Sequence, residues 1–147
     1  MKRAMKTKEV KDLFENATYV ELDKKGKFEI LDESIILMNS EPVLFYYESI
    51  LVPTLKFILK NPFLKKIKVD MGAVPFVIKG ADIMRPGIKE IEEGIKKDDL
   101  VAIVDEKHGK ALAIGKALFG YEEMRALSTG KVIKNLHYVG DKIWSSV

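Results

Sequence analysis

The stretch from Val69 to Gly87, VDMGAVPFVIKGADIMRPG, sets glycines at 72, 80 and 87 among the apolar residues Ala73, Phe76, Val77 and Ile83. Glycine enters left-handed backbone without a Cβ penalty, so this spacing lets a short helix start, stop sharply at Gly80 and return as a strand. Pro86-Gly87 imposes a second tight bend a few residues later. Two backbone turns are thereby drawn together, with Lys79 and Arg85 beside them. Main-chain N–H groups uncovered by side chains, next to cations, suit a phosphate or a nucleotide end. The same glycines would also serve as plain turn residues of a compact β domain, and the stretch by itself leaves both readings open.

With 147 residues, 47% of them hydrophobic, the chain can bury a core as one domain or two small ones. It has no Cys, which excludes disulfides and thiolate zinc ligands, and His108 and His137 are its only imidazoles. A structural metal is therefore not expected, nor is a cofactor. The apolar run Ile50 to Leu59 is too short for a membrane span and contains Pro53 and Lys56, while Met1 to Lys11 lacks the apolar centre of a signal peptide. A cytoplasmic protein without a membrane partner is expected. Residues 1–64 carry 10 Lys or Arg and 10 Asp or Glu, and residues 65–147 carry 15 and 12, so the net +3 belongs to the C-terminal part. Its location agrees with the glycine-rich stretch, although it is too small to indicate nucleic-acid binding unaided.

Along the chain, Thr7 is a plausible N-cap for a helix whose face is Val10, Leu13, Phe14 and Ala17. Tyr19–Leu22 and Phe28–Leu31, flanking Asp23-Lys24-Lys25-Gly26-Lys27, predict a β-hairpin, with further strands at Ile35–Met38 and Val43–Tyr47. The unbroken run Leu44-Phe45-Tyr46-Tyr47 requires cover on both faces of its strand, or else forms a sticky surface. Pro53 is placed in the first turn of a short, largely buried helix containing Leu55, Phe57, Ile58 and Leu59 and ended by Asn61-Pro62. A domain boundary is expected there, giving 1–64 and 65–147, docked with no long linker. Leu100–Val104 and Ala111–Leu118 predict a hairpin, with a bulge at Gly115. Tyr121–Leu127 reads as helical, and Lys131–Val139 with Lys142–Trp144 as a last hairpin turning at Gly140-Asp141. Short strands, tight turns and small helices predict an α+β chain, a small N-terminal α/β domain followed by a nearly closed β-barrel with short helices.

Within Lys66–Trp144, Gly72-Ala73, VIKGAD at 77–82, Arg85-Pro86-Gly87, DDLVAIV at 98–104, AIGK at 113–116 and Gly130-Lys131-Val132 occur in an order that resembles a PUA domain, the RNA-binding module named after pseudouridine synthases and archaeosine transglycosylases. A small domain before it and the closing HYVGDKIW at 137–144 make the whole chain resemble the malignant-T-cell-amplified-sequence family and its archaeal relatives. That resemblance implies an RNA-binding translation factor. Its partners would be tRNA or rRNA, the small ribosomal subunit and a protein like density-regulated protein, and its work would lie in initiation, re-initiation or recycling.

By position, the resemblance assigns RNA contact to Lys79, Gly80, Ala81, Asp82, Arg85, Pro86 and Gly87, with Lys131 and Lys134 added less firmly. Each has a plainer alternative: Asp82 as a turn cap, Pro86-Gly87 as a bend, the lysines as solvated charges. Tyr46, Tyr47, Leu51 and Phe57 are candidate partner-binding residues if the chain is chiefly an adaptor, and an accessory role in RNA modification is a further alternative. Enzymatic activity is not expected. No histidine has a nearby nucleophile in sequence, and Ser128, Ser145 and Ser146 lie in no nucleophile-elbow context.

Overall fold

A computed structural model describes residues 1–146. The elements run β1 (Lys2–Ala4), α1 (Thr7–Asn16), β2 (Phe28–Leu31), β3 (Ile35–Met38), β4 (Glu41–Tyr47), β5 (Ile50–Pro53) and α2 (Leu55–Lys60). They continue through β6 (Lys66–Val69), α3 (Val74–Val77), β7 (Ile83–Met84), β8 (Ile88–Ile91), β9 (Leu100–Asp105), β10 (Ala111–Ala117), α4 (Tyr121–Ala126), β11 (Lys131–Tyr138) and α5 (Lys142–Ser145). The first five strands make one sheet in chain order, and the other six make a second, ordered β7-β11-β10-β9-β6-β8. The fold is α+β, and the second sheet curls into a nearly closed barrel. Its outer strands β7 and β8 are joined by the single 3-10 turn Arg85–Gly87, so one turn closes the barrel.

Side-chain alternation, shifted in β10 by an irregularity between Ala111 and Ala113, explains the apolar runs of β9 and β10. Val101, Ile103, Ala113 and Ala117 point into the barrel core with Ile67, Val77 and Ile133. Ala102, Val104, Ala111 and Ile114 point the other way and pack on Ile35, Phe45, Val52 and Leu55 of the first sheet. Strands covered on both faces read as continuous hydrophobic segments. Each fully buried Ile, Leu or Phe in that shared layer contributes about 1.5–3 kcal/mol, so the two sheets are held by a common core. The far face of the first sheet is closed by α1 through Leu13, Ala17, Ile36 and Leu44. Thus β4 is covered on both sides at Leu44 and Phe45, and exposure begins at Tyr46, 40% accessible.

Several expectations are corrected. Tyr19–Leu22 is not a strand, because β2 already has β1 on one edge and β3 on the other. The turn at Asp23–Gly26 does form, with Gly26 N–H donating to the Asp23 carbonyl at 3.0 Å, but it leads from loop to strand. Helix α1 starts at Thr7 itself, one residue earlier than predicted: Lys6 is at the N-cap and its N–H donates to Glu9 at 2.7 Å. Pro53 ends β5, and Thr54 caps α2, its hydroxyl accepting from Phe57 N–H at 3.2 Å. Within α2 only Leu55 and Ile58 are buried, while Leu59 is exposed. Lys142–Trp144 is helical, because Asp141 accepts from Trp144 N–H at 2.8 Å and caps α5. The bulge at Gly115 forms, as a register shift against β11. A Cβ there would stand 2.5 Å from Ile133 Cγ2.

Candidate nucleic-acid interface

Asp70 caps the turn that leads into α3, its carboxylate accepting from Ala73 N–H at 2.8 Å. Four residues are too few to bury every side, so Val77 enters the barrel core while Phe76 stands 66% exposed. Gly80, at φ +93°, ends the turn, and Ala81 N–H donates back to the Phe76 carbonyl at 3.1 Å. The chain then runs through β7 into Arg85–Gly87, whose ends are tied by Arg85 N–H to the Gly130 carbonyl at 2.8 Å and Asp70 N–H to the Gly87 carbonyl at 2.9 Å. Between α3 and this return lies a groove of about 380 Å³, lined by Gly72, Ala73, Phe76, Ala81, Met84, Pro86 and Gly87, with Asp70 and Asp82 among its walls. Met84, half exposed, lines the same groove as a second apolar wall.

Two glycines keep this groove in shape. A Cβ at Gly87 would lie 3.2 Å from Ala73 Cβ and narrow it. At Gly80 a Cβ would lie 2.8 Å from Tyr138 Cε1, so the Tyr138 ring backs the turn directly. Asn135 on β11 rivets the same turn, its side-chain amide donating to the carbonyls of Val77 at 3.1 Å and Ala81 at 3.0 Å.

Neither carboxylate is left bare. Asp82 accepts from Asn135 N–H at 2.9 Å and faces Lys131 Nζ at 3.4 Å. Of the residues singled out in the sequence, Ala81, Asp82, Pro86 and Gly87 line the groove, Gly80 makes the turn into it and Lys131 sits at its edge through Asp82. Lys79 is exposed at the end of α3 and has no partner among the described residues. Arg85 is turned to the other side of the closing turn, its Nε donating to the Met124 carbonyl at 2.9 Å. Lys134 lies over the Tyr47 ring, 5.2 Å from its centroid, and the Tyr47 hydroxyl raises the lysine's pKa. Phe76 and Met84 were not singled out; an aromatic in a helix too short to bury all its faces is the signal that could have found Phe76.

The four candidate partner-binding residues do not form one surface. Tyr46 pairs with Leu51 on one face of the first sheet, and Leu51 and Phe57 pack against the α1 core. Tyr47 faces the shared core and Lys134. Phe57 also contacts Phe63, which in turn contacts Tyr19, with ring centroids 6.2 Å and 6.3 Å apart in these successive pairs, along a hollow of about 610 Å³.

Residues 65–139 match the PUA domain family, and residues 2–61 match a domain of unknown function, DUF1947. An uncharacterized protein of Methanocaldococcus jannaschii is 46% identical over 94% of this chain and 87% of its own. Translation machinery-associated protein 20 of Saccharomyces cerevisiae is 30% identical over 99% of this chain and 87% of its own, and malignant T-cell-amplified sequence 1 of Rattus norvegicus is 36% identical over 75% and 63%. Among solved structures, a hypothetical protein of Pyrococcus horikoshii superposes with TM-score 0.84 at 31% identity, covering 99% of both chains. A chain of an H/ACA ribonucleoprotein bound to a substrate RNA does so with TM-score 0.52 at 30% identity, over 67% of this chain and 31% of that one. The chain belongs to the PUA domain family, in the two-part form it shares with translation machinery-associated protein 20 and the malignant-T-cell-amplified-sequence proteins.

Proposed function

We propose that the protein is an RNA-binding factor of translation, without chemistry of its own, which seats an unstacked RNA terminus in the groove between α3 and Arg85–Gly87. One observation carries this reading: the groove pairs apolar walls at Phe76 and Met84 with bare backbone at Gly72 and Gly87. Such a slot takes the face of a base while main-chain groups read its edge, which is how single-stranded RNA is recognised. The relatives' names supply translation as the setting, and the ribonucleoprotein neighbour supplies RNA. A tRNA acceptor end on the small ribosomal subunit, in the cytoplasm, is the ligand and place of action we assign. With few cations at the slot, affinity for RNA alone is modest, and a second contact on the ribosome or through a protein like density-regulated protein strengthens it.

Filter binding tests this with tRNA, intact or trimmed of its terminal nucleotides, and with the full-length chain carrying Phe76→Ala and Met84→Ala. Loss of one stacked base costs about 1–3 kcal/mol, so trimming the RNA or removing the walls weakens binding by about 10-fold. Equal affinity for intact and trimmed tRNA removes the terminus from the groove. A second reading, a protein adaptor, draws on the Tyr19, Phe57 and Phe63 hollow. Co-sedimentation with small subunits that survives Phe76→Ala but not Phe63→Ala would favour it.

A further inference from the structure

The Arg85–Gly87 turn has a second side. Pro86 and Gly87 wall the groove, whereas Arg85 and Ile88 open onto a separate hollow of about 240 Å³, completed by Lys89, Tyr121 and Arg125. Its two guanidinium groups are held in place. Arg85 donates through Nε to the Met124 carbonyl at 2.9 Å and through Nη1 to the Ile88 carbonyl at 3.4 Å, so its guanidinium is fixed against the residue that precedes Arg125. Arg125 sits 5.7 Å from the Tyr121 ring centroid, with Nη1 at 3.4 Å from the Tyr121 hydroxyl. Lys89 has no partner among the described residues. The one carboxylate lining the hollow, Glu90, is ion-paired to Lys68 at 3.1 Å.

We infer that this hollow is a second RNA contact, a phosphate site that takes the backbone of the strand whose terminal base occupies the groove on the opposite side of the turn. The inference rests on the groove reading above and extends it. Guanidinium groups present planar, multiple donors to phosphate oxygens, and two of them fixed by carbonyls and a tyrosine lose little freedom on binding. The geometry also accounts for Arg85: it organises the phosphate site and the barrel closure together, away from the base slot. An RNA strand crossing Arg85–Gly87 would meet apolar walls on one side and three cations on the other, which separates base contact from backbone contact.

The test uses the full-length protein and a labelled single-stranded RNA ending in the tRNA acceptor sequence, titrated across a range of salt concentrations. Arg85 is left intact because it ties the turn. Lys89→Ala with Arg125→Ala removes two phosphate contacts, so the slope of log K against log salt falls by about 1.4, at about 0.7 per contact for a single strand. Phe76→Ala lowers affinity at every salt concentration and leaves the slope unchanged. Thermal melts of both variants confirm that the fold is retained. A wild-type slope in the double variant, with Phe76→Ala still weakening binding, overturns the second contact alone. Absence of RNA binding by the wild-type protein overturns the groove reading and this inference with it. A melting temperature raised by millimolar inorganic phosphate in the wild-type protein but not in the double variant, together with the same RNA affinity and salt slope in both, assigns the hollow to a free anion and overturns the polynucleotide assignment.

Discussion

His137 Nε2 accepts the backbone N–H of Leu55 at 3.1 Å, joining the last long strand of the barrel to the first residue of α2. That acceptor role requires the other ring nitrogen, Nδ1, to carry the proton, and Nδ1 lies 2.8 Å from Asp141 Oδ2. The imidazole is 1% exposed and meets the edge of Phe45 at 5.1 Å between centroids. His137→Ala leaves a buried donor unpaired and opens a cavity, so it should cost about 3–5 kcal/mol in urea denaturation. A sharper comparison is His137→Gln, which can still reach Leu55, against His137→Asn, which keeps only the Asp141 side. The glutamine variant should be the more stable of the two by about 1 kcal/mol. Equal losses would mean that the Leu55 contact contributes no more than the Asp141 contact does, and a more stable asparagine variant would rank it below that contact.

Asp141 sets the pH dependence of the same junction. Burial pushes its pKa up, but the hydrogen bonds from His137 and from the N–H groups of Trp144 and Tyr138 outweigh this and hold the carboxyl below its ordinary value. A carboxylate depressed in the folded state adds stability that is fully present above its unfolded value, about 3.9, and is lost as pH falls through the folded value. Asp141→Asn should therefore be clearly less stable than wild type at pH 7, with the gap closing below about pH 4. Denaturation midpoints at pH 7, 5, 4 and 3 measure the gap, and a constant difference across that series would contradict the assignment.

What the sequence made legible was local. Leu100–Val104 and Ala111–Leu118 are visible as paired strands because both their faces are buried, leaving continuous apolar runs, and the bulge is visible because glycine interrupts one of them. The reversal at Gly80 was legible for the same kind of reason: it depends on one backbone position. By contrast, β1 is the three-residue Lys-Arg-Ala, with no apolar alternation, and its pairing with Phe28–Leu31 is nonlocal. Tyr19–Leu22 flanks the turn at Asp23–Lys27 and so resembles a hairpin arm, but β1 takes the edge of Phe28–Leu31 that it would need. At the site, the residues of the turns were legible and the directions of their side chains were not. Position in the resemblance assigns Arg85 and, less firmly, Lys134 to RNA contact, yet Arg85 turns to the Met124 carbonyl and Lys134 to the Tyr47 ring, and both choices depend on elements distant in sequence.

Lys134 yields a prediction of its own. With its ammonium over Tyr47, it braces the two sheets instead of reaching the groove. Lys134→Ala should leave RNA affinity within about twofold of wild type and cost about 0.5–1 kcal/mol of stability through the lost cation–π contact. A large loss of RNA binding with unchanged stability would return Lys134 to the interface.

Gly115 tests the barrel's closure. An added Cβ would sit 2.5 Å from Ile133 Cγ2 and 3.0 Å from the Lys134 carbonyl, so Gly115→Ala should destabilise by about 1–3 kcal/mol through overpacking. Leucine has no branch at Cβ, so Ile133→Leu removes the closest atom. The double variant should recover part of the loss, and strict additivity of the two changes would show that the clash is not where the structure places it.

Gly80 couples stability to the site itself. At φ +93° an alanine costs about 1–2 kcal/mol in backbone strain, and its Cβ would also stand 2.8 Å from Tyr138 Cε1. The ring cannot withdraw freely, because Tyr138 N–H is held by Asp141 at 2.9 Å and the neighbouring Asn135 grips the Val77 and Ala81 carbonyls. Relief must come from moving the turn, which carries Ala81 and Asp82 at the groove wall. Gly80→Ala should accordingly lower both the melting temperature and the affinity for a tRNA acceptor end. In a Tyr138→Ala background the steric part is gone, so adding Gly80→Ala should cost only the strain, about 1 kcal/mol, and should leave the affinity of that background unchanged. If Gly80→Ala weakens RNA binding equally with and without the Tyr138 ring, the ring is not what shapes the slot, and the effect lies in the backbone of the turn alone.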